Sequence, residues 1–544
     1  MAGVVLREGE VRPTRSPERV VLGIAHTVTS TVRLLECLEL VRGDPRVEVV
    51  FTSADTSELS RGVPAFLEDV GARTVSWERA ASTRYDLAVT AASSGPLHEI
   101  DAPLLSLPHG MGYNKVRQTT NDKRQTTNDK RQTTNDKRTY GLDADQLMHA
   151  GEVVPRVLIL SHSEQRDRLA DHCPQAVPRT LIAGDPAFDR LTASLPWRAA
   201  YRRALGVAPG QNLVVVTSTW GRGSLLDRRP ALPAELLRGL PMDEYRVAAI
   251  LHPNITAHHG EWNVRSWLAD ARAAGLVVIP RRSGWQAALT AADLVIGDHG
   301  SVTLYGACLG HPVLLAGFDD SAIVPGTAMA DLGRMAHRLD PTRPLRPQLA
   351  EARAFGGLRS RAVENVGRCA AVLRAAMYDL MELPEPETPA FYGPADDPVP
   401  EPSPPLTAHF ATTSVTGSTV RIERFPVTSD VEDPHFVIDD EERNPALRGL
   451  AETLIRRGDG LTADRSPGEV FAAYPGHRRV ADVRPGTAVI WERDGSRRVI
   501  TGSLDPALYP LVLHALPDPP PRVTIVVGER RDVLRVGQPS PRRS

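Results

Sequence analysis

Lysine is almost missing from this 544-residue chain. Its four lysines (Lys115, Lys123, Lys130, Lys137) fall inside one 23-residue window, and arginine supplies the other 60 of the 64 basic side chains. None of the four stands in a GxxxxGK[ST] context, so a P-loop GTPase or ATPase is excluded. Cysteine is equally scarce. Cys37, Cys173, Cys308 and Cys369 lie far apart with no CxxC spacing, which reads as a reduced, cytosolic chain without structural zinc. No run of 18 apolar residues exists to span a membrane, and the opening "MAGVVLREGEVRPTR" puts charges where a signal peptide needs an apolar core. A formal net charge of -2 gives no reason to expect nucleic acid as a partner.

What is present is a pattern. At this length more than one core is expected. From about residue 19 to 340, short Val/Ile/Leu runs alternate with helical stretches. "VVLGIA", "VEVVFTS", "DLAVTA", "PLLSLP", "VLILSH" and "RTLIAG" come before a joint near 191–211; "NLVVVTS", "RVAAILH", "GLVVIPR", "DLVIGD" and "PVLLAG" follow it. Continuous apolar strands without alternation indicate parallel sheets covered on both faces. The expectation is an α/β protein with two Rossmann-like, doubly wound domains, 19–195 and 196–383, facing each other across a cleft. Residues 343–383 read as helix. A linker over 384–405 holds nine prolines, five acidic residues and no basic one, a composition that is stiff and unable to pack a core. Beyond it, 406–536 reads as a small α+β domain. "TAVIWERDGSRRVITG" has a hairpin signature around Asp494-Gly495, "PALRGLAETLIRR" is helical, and the tail 537–544 lacks order.

"RQTTNDK" occurs three times in tandem from Arg117 to Lys137. Apart from Val116, the window 115–138 has no apolar side chain and carries eight basic against three acidic residues, so it is a solvated surface expansion. The functional alternative is a basic arm that draws anionic substrate, or an anionic membrane surface, toward the neighbouring His109 loop.

Four strand ends carry polar residues suited to chemistry, where open parallel sheets place ligands. His109 follows "LLSLP" and titrates in the range of a general base; the plain alternative is a loop histidine bonded to backbone. His252 ends "VAAIL", with Pro253 blocking continuation. "VVVTSTWGRG" supplies Thr217, Ser218, Thr219 and Arg222. "DLVIGDHGSVTLYGACLG" breaks at Asp298-His299-Gly300-Ser301 before a small-residue helix, with Ser301 placed as N-cap and the first-turn amides free for a diphosphate. A capped helix that binds nothing is the bland reading of the same residues. Asp143 and Asp145 formally match DxD but follow the basic repeat rather than an apolar strand, and His258, His259 and Glu261 could ligate zinc, but adjacent histidines on a polar loop read as solvated.

Taken together, "PHGMGYNK", "LIAGDPAFDRL", "VVVTSTWGRG", "AAILHPN" and "ADLVIGDHGSVTLYGACLGHPVLL" resemble the motifs of CDP-glycerol glycerophosphotransferases of the teichoic-acid type, over about residues 20–380. The last motif also resembles UDP-sugar 2-epimerases. The resemblance implies a GT-B fold and transfer of a glycerophosphate or glycosyl group from a nucleotide diphosphate donor to a hydroxyl acceptor. It implies no tightly bound cofactor, no active-site metal, and a cytosolic place, with contact at the inner membrane face as the alternative. His109 would be the general base and His252 would meet the donor phosphates. Asp298, His299, Gly300 and Ser301 would hold the diphosphate. His299 stands where the family has tyrosine, Gly300 where it has serine, and Tyr305 where an acidic residue is expected to hold ribose. That last departure motivates the other reading, a GT-B-like binding or regulatory protein without catalysis.

Overall fold

The computed structural model describes residues 16–54, 58–117, 138–458 and 460–540. Most of the RQTTNDK repeat, and the end of the tail, lie outside the described residues.

The first sheet contains β1 (Arg19–Ala25), β2 (Val47–Ser53), β3 (Leu87–Thr90), β4 (Leu104–Ser106), β5 (Val157–Leu160) and β6 (Thr180–Ile182). All pairings are parallel, in the order β2-β1-β3-β4-β5-β6. The second contains β7 (Asn212–Ser218), β8 (Tyr245–Leu251), β9 (Val277–Ile279), β10 (Leu294–Gly297), β11 (Val313–Leu315) and β12 (His337–Arg338), parallel in the order β9-β8-β7-β10-β11-β12. The β7 run "NLVVVTS" is buried at every position after Asn212, as a central strand covered on both faces must be. The two orders reverse direction between β1 and β3 and between β7 and β10. A crevice opens at such reversals, at the carboxyl ends of the strands. Both crevices face one another.

Helices α1 (Val28–Leu38), α2 (Pro186–Ser194), α3 (Pro253–His259), α4 (Trp285–Ala291), α5 (Ser301–Leu309) and α6 (Cys369–Leu380) bear on the cleft or the joint. Phe188 and Leu191 of α2 sit in the core of the second sheet's domain, while Asp185, its N-cap, turns toward α1 of the first. Cys369, Leu373 and Met377 of α6 pack in the core of the first domain, so the chain crosses back before the proline-rich stretch.

Three expectations need correction or sharpening. The two helical segments read in 343–383, "QLAEARAFGG" and "RAVENVGRCAAVLRAAMYDLMEL", are shorter and more broken than expected: helices Leu345–Ala350 and Arg359–Ala362 precede α6. Gly356-Gly357 falls between the first two, and Asn365 and Gly367, at φ 53° and 78°, interrupt before α6. The 384–405 segment does pack. Tyr392 is 5% exposed in the first domain's core, Tyr201 donates to the Ala395 carbonyl, and the Glu401 amide donates to Val278 O on the edge strand β9. It is a strap, and it shields an edge that would otherwise be open for pairing. Residues 408–536 do mix helices with strands, but the strands close into a nine-stranded barrel of parallel and antiparallel pairs, which the α+β reading did not specify. The Asp494-Gly495 hairpin is there, joining Thr487–Glu492 to Arg497–Thr501. "PALRGLAETLIRR", however, splits into helix Pro445–Leu450 and strand Thr453–Arg456, because the second half is buried between two parallel neighbours.

The barrel docks on the amino-end side of the second sheet, away from the cleft. Asp243, just before β8, holds Arg424 at 2.8 Å and Arg530 at 3.1 Å, and the Met242 amide donates to Arg424 O. Among the described residues no helix is long and apolar enough to cross a membrane.

Candidate functional site

A cavity of about 920 Å3 lies between the sheets, lined by His26, Thr27 and Ala92 of the first domain and by Trp220, His252 and His299 of the second. A smaller one of about 130 Å3 adjoins it and reaches Arg33, Thr217, Ser301 and Tyr305. His109 and Lys115 border both. The strand ends singled out in the sequence therefore do converge.

His252 is the N-cap of α3, and its Nδ1 accepts the Asn254 amide at 3.1 Å. Burial, then Lys115 and His109, hold its pKa well below the ordinary value. A neutral ring whose Nδ1 accepts must carry its proton on Nε2. His299, 4% exposed, repeats the device: Nδ1 accepts the Asp319 amide at 3.3 Å, and burial followed by Lys115 lowers its pKa to about 4. Two backbone-locked imidazoles thus offer Nε2–H donors on the same cavity.

The turn before α5 works differently from the expectation. Gly300, not Ser301, is the N-cap, and Ser301 is the first helical residue. Ser301 Oγ meets the first domain, accepting from the Met111 amide at 3.4 Å; a Cβ on Gly110 would stand 2.5 Å from it. Nor does Asp298 face a ligand. It is fully buried, and its carboxylate accepts the Gly300, Thr219 and Leu225 amides at 2.9, 2.8 and 2.8 Å. Burial pushes its pKa up to about 6, against the pull of those three N–H groups and Lys115. Its role is to tie the end of β7 to the start of α5. Ser218 is likewise turned inward: Oγ donates to Thr219 O at 2.9 Å and accepts the Leu226 amide at 3.2 Å. Thr217 and Thr219 stay on the cavity wall, and Arg222 sits exposed at its rim. At the start of α5 the Thr303 and Leu304 amides bond to Gly300 O, while Ser301 and Val302, whose amides come too early for a partner inside the helix, line the smaller cavity.

His109 is open to the cleft by surface area yet crowded by neighbouring atoms. That enclosure, then Lys115 and Arg33, lowers its pKa to about 4. It is neutral at pH 7 and able to accept a proton.

Tyr305 has its own occupation. Its hydroxyl donates to Asp185 Oδ2 at 2.8 Å and accepts from Arg33 at 2.7 Å, while Arg33 pairs with Asp185 at 3.2 Å and Glu36 at 3.1 Å. The arrangement joins α1, the α2 cap and α5 across the domain boundary. Glu36, paired with Arg33 and accepting from Gln286 at 2.9 Å, places a carboxylate at the wall of the smaller cavity.

Several cleft residues escape a reading of the sequence. His26, 2% exposed with neither ring nitrogen bonded, follows β1, and burial lowers its pKa to about 4. Its signal was the same as that of His252, a histidine directly after an apolar strand. Lys115 looked like the first residue of the basic repeat, but it enters the cleft because Asn114–Val116 pairs with residues 322–324 of the second domain. Burial lowers its pKa while Asp298 works in the opposite direction. Trp285, Arg33 and Trp220 gave no signal at all.

The DxD match is structural. Asp143 caps helix Ala144–Leu147, and Asp143 and Asp145 bind Arg117 and Arg138, the two ends of the repeat excursion, at 2.7 to 3.6 Å. His258 and His259 meet edge to face at the end of α3. Among the described residues no three His, Cys, Asp or Glu side chains come close enough to hold a metal ion.

No family model and no curated protein matches the chain. Among solved structures, the wall teichoic acid polymerase TagF is similar at 12% identity, over 68% of this chain and 90% of that one, with a TM-score of 0.41. UDP-GlcNAc 2-epimerase from Neisseria meningitidis bound to UDP-GlcNAc is similar at 12% identity over 67% and 100%, TM-score 0.42. A glycosyltransferase from Rickettsia africae is similar at 10% identity over 67% and 93%, TM-score 0.34.

Proposed function

We propose that this chain is a transferase that takes a nucleotide diphosphate donor in the cleft and passes a glycosyl or glycerophosphate group to a hydroxyl acceptor. The observation that carries this reading is one anion cradle assembled from both halves: the Nε2–H groups of His252 and His299, Lys115, and the start of α5, set around two adjoining cavities that share His252 and Lys115. Each is a preorganised donor in a partly dry site, where charge developing on a phosphate is best stabilised. The acceptor hydroxyl loses its proton to an unprotonated ring nitrogen of His109 as its oxygen forms the new bond. The donor bond breaks with its electron pair leaving on phosphate oxygen, as nucleoside diphosphate in glycosyl transfer or nucleoside monophosphate in glycerophosphate transfer. Charge compensation comes from protein groups, so no metal or tightly bound cofactor enters the scheme.

A thermal-shift series with CDP-glycerol, UDP-sugars and free nucleoside diphosphates tests the donor. At ligand a hundredfold above Kd, about 2.7 kcal/mol of stabilisation is expected, and His252→Ala should lose most of it. If no nucleotide raises the melting temperature of the unaltered protein, the proposal is wrong. Turnover tests the chemistry. His109→Ala should cost roughly 10²–10⁴ in kcat, the range of a general base. Since the free enzyme's His109 titrates at about 4, kcat/KM should hold its plateau down through pH 6.5 and fall only toward pH 4. Nucleotide binding without any turnover, and no effect of either histidine change in cells, is the signature of the non-catalytic reading.

A further inference from the structure

Beside the cleft, on the second domain, lies a separate groove of about 540 Å3. It shares Trp220, Arg222, Asp227 and Asn254 with the main cavity, so the two are continuous. Its walls are aromatic. Trp220 approaches His252 at 6.4 Å between ring centres, and further out His258, His259 and Trp267 follow one another at 4.6 and 4.9 Å. Trp220 is 38% exposed and Trp267 53%, so beyond these histidine contacts each ring leaves a large apolar surface facing water. Asn254 is 5% exposed, yet its Oδ1 has no hydrogen-bond partner, although buried polar atoms normally find one. Asp227, held by the Gly223 amide, adds a carboxylate at the same edge.

Flat aromatic faces combined with side-on acceptors for O–H donors describe a particular ligand. A sugar ring has an apolar C–H face to stack and hydroxyls around its rim to donate. A purely apolar peptide would leave Asn254 and Asp227 unmatched. We infer that this groove is a saccharide subsite, holding an acceptor chain whose terminal hydroxyl reaches the cleft beside His252. The inference rests on the transferase reading and names the acceptor class for it. The groove's volume falls in the range of ordinary small-ligand sites. Trp267 contributes its ring, His258 and His259 extend the platform, and Asn254 reads a hydroxyl at the passage into the cavity.

Titrating the full-length protein with neutral pentasaccharides of glucose, N-acetylglucosamine and mannose, while following tryptophan emission, tests this directly. At least one should give a saturable change. Trp267→Ala, at a half-exposed position that should not disturb folding, should weaken it about tenfold, as the loss of one stacked ring implies. Asn254→Leu should weaken it as well, and the Trp267 variant should keep the full nucleotide-induced thermal shift. Absence of a saturable change with every sugar, or wild-type affinity in Trp267→Ala, overturns the inference. So does a dimer in solution that Trp267→Ala dissolves, since the groove would then belong to a second copy. Saccharide binding without nucleotide stabilisation would instead remove the donor reading and leave the groove intact.

Discussion

Asp298 shows what a single side chain can hide. A carboxylate at a strand end, next to Gly300 and Ser301, looks like a ligand-holding group. Its hydrogen bonds go to the protein, mostly to backbone: Oδ2 accepts the Thr219 and Leu225 amides and, at 3.4 Å, the Ser218 hydroxyl, and Oδ1 accepts the Gly300 amide. Replacing it with asparagine would set an NH2 against N–H donors whichever way the amide turns. Asp298→Asn should therefore cost about 1–3 kcal/mol in chemical denaturation, the penalty of buried donors left unmatched. A change below about 0.5 kcal/mol, the usual range of neutral surface changes, would contradict that assignment. The histidines tell the opposite story. Residue type and strand-end position were enough to expect His109 and His252 at the cleft, and both line it. Which nitrogen of His252 and of His299 carries the proton was not legible, because it depends on the Asn254 and Asp319 amides folding back onto those two rings.

At the scale of elements, the decisive contact is between helices distant in the chain. Arg33 on α1, Asp185 capping α2 and Tyr305 on α5 are separated by 152 and 120 residues, and they meet in one buried group. Burial opposes the charge on Arg33, and Asp185, Tyr305 and Glu36 more than restore it. Tyr305→Phe should destabilise by about 1–3 kcal/mol, since both hydroxyl partners lose a bond. Arg33→Met, which strands Asp185 in the same pocket, should cost about 3–5 kcal/mol. Urea titration of both variants checks the order; equal losses would mean that the ion pair is not the dominant member. The proline-rich strap is another element-scale finding. Its composition announces extension, which is what it adopts, but Tyr392 and Glu401 decide that it lies against both domains rather than swinging free.

The whole molecule carries an electrostatic signature. His26, His299, His409 and His435 are all buried, and burial lowers their pKa values to about 4, 4, 3 and 3. An unfolded histidine titrates near 6.5, so between there and pH 4 the unfolded chain takes up protons that the fold refuses. Above pH 6.5 these groups contribute nothing to the pH dependence. Below it each removes up to about 1.4 kcal/mol per pH unit. Asp298, raised to about 6, acts in the other direction, as do Glu36, Asp189 and Asp439, whose burial also raises them. His109, His252, His311, His477 and His514, lowered by burial, add to the four histidines. Melting temperature should thus fall steeply from pH 6.5 to 4.5 and stay nearly level from 7 to 8. A flat profile over pH 5–7 would show that these rings are solvated. Two of the four histidines lie in the barrel and two at the cleft, so both regions should loosen together.

Local order was written in the chain. Unbroken Val/Ile/Leu runs named the two parallel sheets, because a strand covered on both faces has no polar side to show. Glycine and polar residues at the ends of those strands marked the cleft. Closure of the C-terminal strands into a barrel, the return of α6 to the first domain, and the entry of Lys115 into the cleft were settled only by tertiary packing. Each depends on which surfaces meet at long range, and hydrophobic burial sets that without leaving a mark on any short stretch of residues.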